Sequence, residues 1–175
     1  MCSRLNDEQY MQFALDQARL AFRKGEIPVG AVAVYQGRVI GQGHNCKETS
    51  RDPTAHAEII ALREAAQTRG GWRLSDVTLY CTMEPCPMCA GAMVQARLSR
   101  LVYSVPDPKA GAAGSVLNLL AHPGLNHRVS ITCGISASDT ESLLASFFSR
   151  LRQGEIPRFS ESWRQRKLAE NTNSV

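Results

Sequence analysis

Two short motifs, at residues 56–58 (His-Ala-Glu) and 85–89 (Pro-Cys-Pro-Met-Cys), constrain this chain more than any other feature. Cysteine thiolates and a neutral imidazole are ligands that bind zinc tightly. A tetrahedral zinc ion with three protein ligands keeps one position open to water, whose pKa then falls from about 15.7 toward roughly 7. Glu58 is not needed as a ligand and is free to transfer protons. The motifs therefore predict the catalytic metal site that a hydrolytic deaminase needs.

The second motif has a spacing that suits the start of a helix. There, Cys86 and Cys89 lie on one face and can share one ion. Pro85 and Pro87 are compatible with this position, because a missing backbone N–H costs nothing in the first turn of a helix. The positive end of the helix dipole also favours thiolates. We therefore expect a helix to begin at this motif.

The first motif also lies near a predicted helix start. Asp52 and Pro53 have the pattern of an N-cap followed by a first-turn proline, which predicts a helix that opens just before His56. A histidine and a glutamate two residues apart do not share a helix face. We therefore expect His56 and Glu58 in the first turns, with the site beside the end of the helix.

A structural zinc site is the alternative to a catalytic one. Such sites usually have four protein ligands, and Cys81 or His44 could supply the fourth. The alternative leaves Glu58 without a role.

Length and composition favour an ordinary globular protein. The chain has 175 residues, of which 43% are hydrophobic and 21% are charged. We expect one domain over residues 1–175, with a core at about 5–153 and a polar, basic tail at about 154–175. The net charge of +4 is only a mild preference for anionic partners. No segment is expected to span a membrane: residues 110–127 lack formal charge but are interrupted by glycine, asparagine and proline.

The cysteines indicate a reducing compartment. The N-terminus has no apolar signal region, so the six cysteines argue for metal ligands or reduced core thiols and for a cytoplasmic location. Only Cys86 and Cys89 have ligand spacing. Cys81 and Cys133 are expected to be buried strand residues.

Hydrophobic periodicity predicts alternating helices and strands. The predicted helices cover 7–24, 53–69, 88–98, 116–120 and 138–152, and the predicted strands cover 30–35, 38–43, 76–83, 101–105 and 129–135. A turn at Gln36-Gly37 would join the first two strands as a hairpin. This alternation favours an α/β fold with one sheet covered on both faces.

The two motifs together resemble the signature of the zinc cytidine deaminase superfamily, H-x-E followed by P-C-x-x-C. The resemblance extends over about residues 5–160 and is strongest to the bacterial tRNA-specific adenosine deaminases. The segments that carry it are 28–32, 52–59, 84–93, 109–115 and 122–129. The last two lie outside the general zinc motif. The chain departs from the family pattern at Pro106, Ala121 and Ser149.

This resemblance implies a three-layer α/β/α cytidine-deaminase-like fold with a central mixed five-stranded sheet and helices on both faces. It also implies a homodimer with one zinc ion per subunit. The implied reaction is hydrolytic deamination of adenosine to inosine at the wobble position, 34, of the tRNA anticodon. His56, Cys86 and Cys89 would bind zinc, and Glu58 would be the catalytic proton shuttle.

The resemblance also implies residues that contact the tRNA anticodon stem-loop. Asn45 would hydrogen-bond the flipped base. Asp107 and the 109–115 loop would line a groove for the anticodon loop, together with the 122–127 segment. The C-terminal helix would contact RNA near Phe147 and Phe148. The substrate-binding candidates are Asn45, Asp107, Lys109, His122, Asn126, Arg150 and Arg152.

Several other interpretations remain open. The metal ligands do not select the ring, so a deaminase of a free base or nucleotide, of the guanine or cytosine type, is one rival. A non-catalytic, zinc-stabilised RNA-binding protein is the second. The basic residues of the tail alternate with Glu155 and Glu161, so a solvated helix face competes with RNA contact there.

Overall fold

A computed structural model of the protein describes residues 5–156. Its elements are α1 (Asp7–Arg23), β1 (Gly30–Tyr35), β2 (Arg38–His44), α2 (Lys47–Ser50), α3 (Ala57–Arg69), β3 (Val77–Met83), α4 (Pro87–Gln95), β4 (Arg100–Val105), β5 (Ser130–Cys133) and α5 (Ala137–Arg152). Within these residues no helix combines the length and the apolar character that crossing a membrane requires.

The strands form one mixed five-stranded sheet in the order β2-β1-β3-β4-β5. Strand β1 is antiparallel to both β2 and β3, whereas β3, β4 and β5 are parallel. Strands β2, β3 and β4 therefore run in the same direction and finish at the same end of the sheet, called here the carboxyl end. The segments that follow these three strands meet there, although they lie far apart in the sequence.

Side chains alternate between the two faces of the sheet, as the pleat requires. Ala31 and Ala33 of β1 belong to the core formed with α3 and α4. Val32 and Val34 instead pack against α1. Helix α5 joins α1 on that second face, where Phe147 contacts the ring of Phe22. The predicted three-layer arrangement, with helices on both faces, is confirmed.

Glycine on β2 sets how closely α3 approaches the sheet. A Cβ atom on Gly43 would meet the carbonyl oxygen of Ala57 and would lie 2.9 Å from the backbone nitrogen of Ala61. A Cβ on Gly41 would lie 2.6 Å from the backbone nitrogen of Ala65, one turn further along the helix. These two glycines let the helix backbone rest directly on the strand, which fixes the N-terminus of α3 at the carboxyl end of the sheet.

An ion pair ties the start of α1 to the sheet. The two carboxylate oxygens of Asp7 accept hydrogen bonds from both terminal nitrogens of Arg100, at 2.9 and 2.7 Å. The Tyr80 hydroxyl donates to the same carboxylate at 2.8 Å. The Arg100 guanidinium holds the pKa of Asp7 below its usual value. This network lies at the end of the sheet opposite the functional motifs.

The structure corrects the predicted start of the third helix. Helix α3 begins at Ala57, not Pro53, and its N-cap is His56. Asp52 does not cap it, because its carboxylate accepts hydrogen bonds from the backbone and hydroxyl of Thr54, at 2.8 and 2.6 Å. This local turn satisfies the side chain before the helix begins.

Three further expectations were wrong. The loop before Asp52 contains the short helix α2, which was not predicted. Residues 116–120 do not form a helix; they form an irregular segment in which Asn118 makes an isolated bridge with Ala113. Cys133 is exposed, since β5 is an edge strand, whereas Cys81 is buried as expected. Of the tail predicted at about 154–175, residues 157–175 lie outside the described part of the chain.

Candidate active site

The three predicted metal ligands converge at the carboxyl end of the sheet. His56 is the N-cap of α3, and Cys86 is the N-cap of α4. The Nδ1 atom of His56 lies 3.7 Å from the Sγ atom of Cys86 and 3.6 Å from that of Cys89. All three ligand atoms lie within 4.8 Å of one another. Two helices therefore start at the same point and present their first turns to a shared site.

These distances fit zinc. Bond lengths of about 2.3 Å to sulfur and about 2.0–2.1 Å to nitrogen, at tetrahedral angles, place the sulfur and nitrogen atoms about 3.6 Å apart. The observed separations of 3.6 and 3.7 Å agree with this value. Two thiolates and one imidazole are also a ligand set that zinc prefers. The residues present therefore suit a zinc ion.

The alternative of a closed, four-ligand site finds no support among residues 5–156. In that range no further His, Cys, Asp or Glu joins the cluster. The Cys81 thiol is buried and directed at the carbonyl oxygen of Met83, 3.0 Å away. The Nε2 atom of His44 lies 2.8 Å from the Lys24 ammonium. Neither proposed fourth ligand is available, so three protein ligands leave room for a water molecule.

The cluster also favours ionised sulfur. The hydrogen bond from the Cys89 thiol lowers the pKa of Cys86 to about 4, against burial, and His56 adds to this effect. The same hydrogen bond raises the pKa of Cys89, the donor. Cys86 is therefore a thiolate at neutral pH, which is the form that binds metal.

Glu58 lies in the first turn of α3, beside the cluster but outside it. Its side chain is buried, with the residue only 3% exposed. Burial raises the pKa of Glu58 to about 6, because the charged carboxylate loses hydration. A carboxyl group with a pKa near the working pH can both accept and donate a proton. The geometry is that of a general acid and base next to a metal site.

Asn45 follows β2 and is buried at the same end of the sheet. Its backbone N–H donates to the carbonyl of Val29 at 2.9 Å, which fixes the residue beside the start of β1. The structure thus brings Asn45 to the end of the sheet where α3 and α4 begin.

Asp107 and Lys109 follow β4 and reach the same end. The carboxylate of Asp107 accepts the backbone N–H groups of Lys109 and Ala110, at 2.9 and 3.2 Å, and shapes this turn. Lys109 is exposed. The loop is held against the turn before Cys86, since the N–H of Ala112 donates to the carbonyl of Pro85 at 2.8 Å.

His122 and Asn126 do not belong to the metal-ligand cluster. The Asn126 side chain accepts a hydrogen bond of 2.8 Å from Arg97, which follows the C-terminal end of α4. The cysteines lie at the N-terminal end of this helix, about 13 Å away at 1.5 Å per residue. His122 is exposed, and its Nδ1 atom accepts the N–H of Gly124 at 3.1 Å. Asn126 is therefore remote from the cysteines, and His122 is not a member of the metal-ligand cluster.

The arginines of α5 lie on the face of the sheet that carries α1. Arg150 forms an ion pair of 2.8 Å with Glu155, and its guanidinium lies 5.6 Å from the ring of Phe22. Arg152 is exposed. Phe22 is near the end of α1, close to the contact between Lys24 and His44. The arginines thus lie around the outside of the site, not in it.

Sequence reasoning gave no role to Glu84, which the structure places at the centre of the loop contacts. Its buried carboxylate accepts hydrogen bonds from Asp107, Ala113 and Ser115. Burial alone would raise the pKa of this carboxyl group. The hydrogen bonds from Ser115, Asp107 and Ala113 together outweigh burial, so the pKa of Glu84 lies below its usual value. The only signal in the sequence is an acidic residue directly after an apolar strand, and its partners lie too far along the chain to be recognised.

The fold and the site together define a deaminase of the cytidine deaminase type. A profile of the MafB19-like deaminase family matches residues 5–152. The tRNA-specific adenosine deaminase of Bacillus subtilis (strain 168) is 43% identical over 147 residues, which span 84% of this chain and 91% of that protein. The chain therefore belongs to the tRNA-specific adenosine deaminase family.

Solved structures agree with this assignment. A structure from studies of A-to-I editing by tRNA:A34 deaminases at the wobble position of transfer RNA is 40% identical, with a TM-score of 0.75. The matched region covers 78% of this chain and 99% of the chain in that structure. A guanine deaminase from Bacillus subtilis is 33% identical, with a TM-score of 0.58, covering 73% of this chain and 85% of its own. The tRNA deaminase is more similar by every one of these measures.

Proposed function

We propose that this protein catalyses the hydrolytic deamination of adenosine to inosine at wobble position 34 of the tRNA anticodon. One observation carries the proposal: His56, Cys86 and Cys89 present ligand atoms at 3.6 and 3.7 Å beside a buried carboxylate, Glu58. This arrangement occurs in a chain whose relatives are named tRNA-specific adenosine deaminases. Zinc is the cofactor that the ligand set and its spacing fit.

A zinc ion held by these three residues would supply a water molecule of lowered pKa. Glu58 accepts a proton from the attacking water and delivers a proton to N1 of adenine, which makes C6 more electrophilic. Glu58 next takes the proton of the new hydroxyl group on C6 and passes it to the amino group, so the C6–N bond breaks, the C6 carbonyl forms and ammonia leaves. Water and adenosine are consumed, and inosine and ammonia are formed. The raised pKa of Glu58, about 6, suits a group that serves first as base and then as acid.

Substrate recognition falls to the segments at the carboxyl end of the sheet. The Asn45 amide can hydrogen-bond the base, and Asp107 and Lys109 can contact the RNA around it. A base in an anticodon loop is already outside a duplex, so the cost of extracting it, a few kcal/mol in duplex nucleic acid, is reduced. His122, Asn126, Arg150 and Arg152 would contact more distant parts of the anticodon stem-loop.

The proposal includes a homodimer. Met88, Val116, Leu117 and Leu125 are large apolar side chains between 36% and 53% exposed. Contact with a second copy of the chain would bury these side chains and remove their apolar surface from water. A dimer would also give Asn126, which is remote from the cysteines of its own subunit, a way to act at the site of the partner subunit. Sedimentation equilibrium would show a mass of twice 19.2 kDa.

We place this activity in the cytoplasm. The ligand cysteines must stay reduced to bind metal, and cytoplasmic thiols are kept reduced.

Guanine deamination is the second candidate, because a guanine deaminase shares the fold at 33% identity. The test is ammonia release from a panel of substrates: an anticodon stem-loop with A34, the matched stem-loop with G34, free adenosine, guanine and cytidine. We expect release from the A34 stem-loop alone. A higher kcat/KM for guanine would favour the second candidate, and no release from any substrate would favour a non-catalytic RNA-binding protein.

A further inference from the structure

We propose that Glu84 is a positioning residue that holds the RNA-contacting loop, residues 107–115, against the turn that carries the metal ligand Cys86. The inference rests on the proposed function, since that function gives the loop its role. Glu84 itself need not touch the substrate. It acts through the backbone of the loop.

The contacts of the Glu84 carboxylate are made almost entirely to this loop. One oxygen accepts the backbone N–H of Asp107 at 2.9 Å, where the loop begins. The other accepts the N–H groups of Ala113 and Ser115, at 2.9 and 3.0 Å, where the loop ends. The Ser115 hydroxyl also donates to the carboxylate. One side chain thus joins both ends of the loop.

The site is closed to water and tightly packed. Glu84 is only 2% exposed. Gly111 lies directly against the carboxylate: a Cβ atom there would collide with Glu84 and would lie 2.6 Å from the carbonyl oxygen of Asp107. Glycine at this position therefore lets the loop close around the carboxylate.

A carboxylate is specifically suited to this role. An ionised carboxylate only accepts hydrogen bonds and has about four lone-pair sites, which matches the four donors that converge here. A glutamine of the same shape would present an NH₂ group to one of the backbone N–H groups. At least one buried donor would then lose its partner, and an unmade buried hydrogen bond favours local opening of the loop.

The geometry connects this carboxylate to the proposed substrate contacts. Asp107 is held through its N–H by Glu84, and its own carboxylate orders Lys109. On the other side, Glu84 is followed directly by Pro85, whose carbonyl accepts the N–H of Ala112, and then by Cys86. The Glu84 side chain and the neighbouring Pro85 carbonyl therefore hold the loop next to the turn that carries Cys86.

Limited proteolysis tests the role of Glu84 without any substrate. Trypsin cleaves after Lys109, within the loop, and the rate follows the population of opened loop. We expect Glu84→Gln and Gly111→Ala to speed cleavage at Lys109 by about tenfold or more, as measured by mass spectrometry. Asp7→Asn is the matched control, since it breaks a partly buried carboxylate network far from the loop. Its cleavage rate at Lys109 should stay within about twofold of the unmodified protein.

Equal cleavage rates in Glu84→Gln and the unmodified protein would overturn the inference, and so would equal acceleration in Asp7→Asn. If Glu84→Gln is insoluble, Ser115→Ala removes one of the four donors and should speed cleavage by about threefold. No acceleration in Ser115→Ala would then count against the inference.

Kinetics distinguish loop positioning from a general structural role. We expect Glu84→Gln to raise KM for the A34 stem-loop by about tenfold while kcat stays within about threefold and the zinc content is unchanged. A loss of zinc and kcat at constant KM would instead make Glu84 a support for the metal turn alone, contrary to the proposal. If the unmodified protein does not act on tRNA, the proposed function fails, but the proteolysis result still decides the role of Glu84.

Discussion

Replacement of Gly43 by alanine tests how the position of α3 controls the site. The new Cβ atom would meet the carbonyl oxygen of Ala57 and would lie 2.9 Å from both the Ala61 nitrogen and the Ile60 Cβ. Ordinary contacts between carbon atoms are about 3.5–4.0 Å. The helix must therefore move away from β2 by roughly 0.5–1 Å. Ala57 immediately precedes Glu58, so the shift moves the carboxylate that we propose as the proton shuttle.

The expected size of the effect follows from this displacement. Overpacking of a close contact costs about 1–3 kcal/mol. For a protein of this length each kcal/mol lowers the Tm by about 2–4 °C, so we expect a decrease of about 4–8 °C for a cost near 2 kcal/mol. A misplacement of about 1 Å at a catalytic group can reduce the rate by about 10²-fold.

Two further glycines supply matched controls. Gly41→Ala makes a similar collision further along the same helix, with the Ala65 nitrogen 2.6 Å away. Gly41→Ala should lower the Tm as much as Gly43→Ala does. Its loss of kcat should be about one tenth of the loss in Gly43→Ala, because Gly41 lies further from Glu58. Gly71→Ala has nothing within 4 Å of the new Cβ and should change neither quantity.

The assay combines thermal unfolding with single-turnover inosine formation on the A34 stem-loop. A Tm within about 1 °C of the unmodified protein for Gly43→Ala would refute the packing argument. Equal losses of kcat in Gly41→Ala and Gly43→Ala would show that proximity to Glu58 does not matter.

Three further predictions concern the carboxylates and the metal. Glu58→Gln should keep its zinc content and Tm while kcat falls by about 10²–10⁴-fold, and near-normal inosine formation would remove the proton-shuttle role. Asp7→Asn should lower the free energy of unfolding in urea by about 2 kcal/mol at pH 7, because it loses charge-assisted bonds to Arg100. The folded pKa of Asp7 is lowered, so this stabilisation is complete above the unfolded pKa of about 3.9 and is lost as the pH falls through the folded value. If the free energies of unfolding of Asp7→Asn and the unmodified protein still differed by the same amount at pH 2, the ionised carboxylate could not be the cause. Chelation of the metal should abolish activity and lower the Tm, and zinc, but not magnesium, should restore both.

The convergence of His56, Cys86 and Cys89 could be predicted from the sequence because the determinants of each motif are local. Cys86 and Cys89 lie within the first turn of one helix, and Pro87 at its first position marks where that helix begins. His56 and Glu58 likewise occupy the cap and first turn of α3. Such short-range patterns also predicted α1 and the β1–β2 hairpin to within about two residues.

What could not be predicted depends on partners that are distant in the sequence. Residues 116–120 have helical composition, but the loop before them is held by Glu84, which takes the N–H groups of Ala113 and Ser115. That tertiary contact fixes an irregular loop where local propensity favours a helix. The start of α3 was misplaced for a local reason, since Asp52 forms a turn with Thr54 instead of a cap.

The most direct test of the central claim is the mapping of inosine in a mixture of tRNA treated with the zinc-loaded protein. We expect adenosine at position 34 to become inosine and adenosines elsewhere in the same tRNA to remain unchanged, because the chain combines the site of His56, Cys86, Cys89 and Glu58 with the sequence of a tRNA-specific adenosine deaminase. Inosine that is absent at position 34 after treatment with fully zinc-loaded protein, or that is spread over other adenosines, would contradict the account.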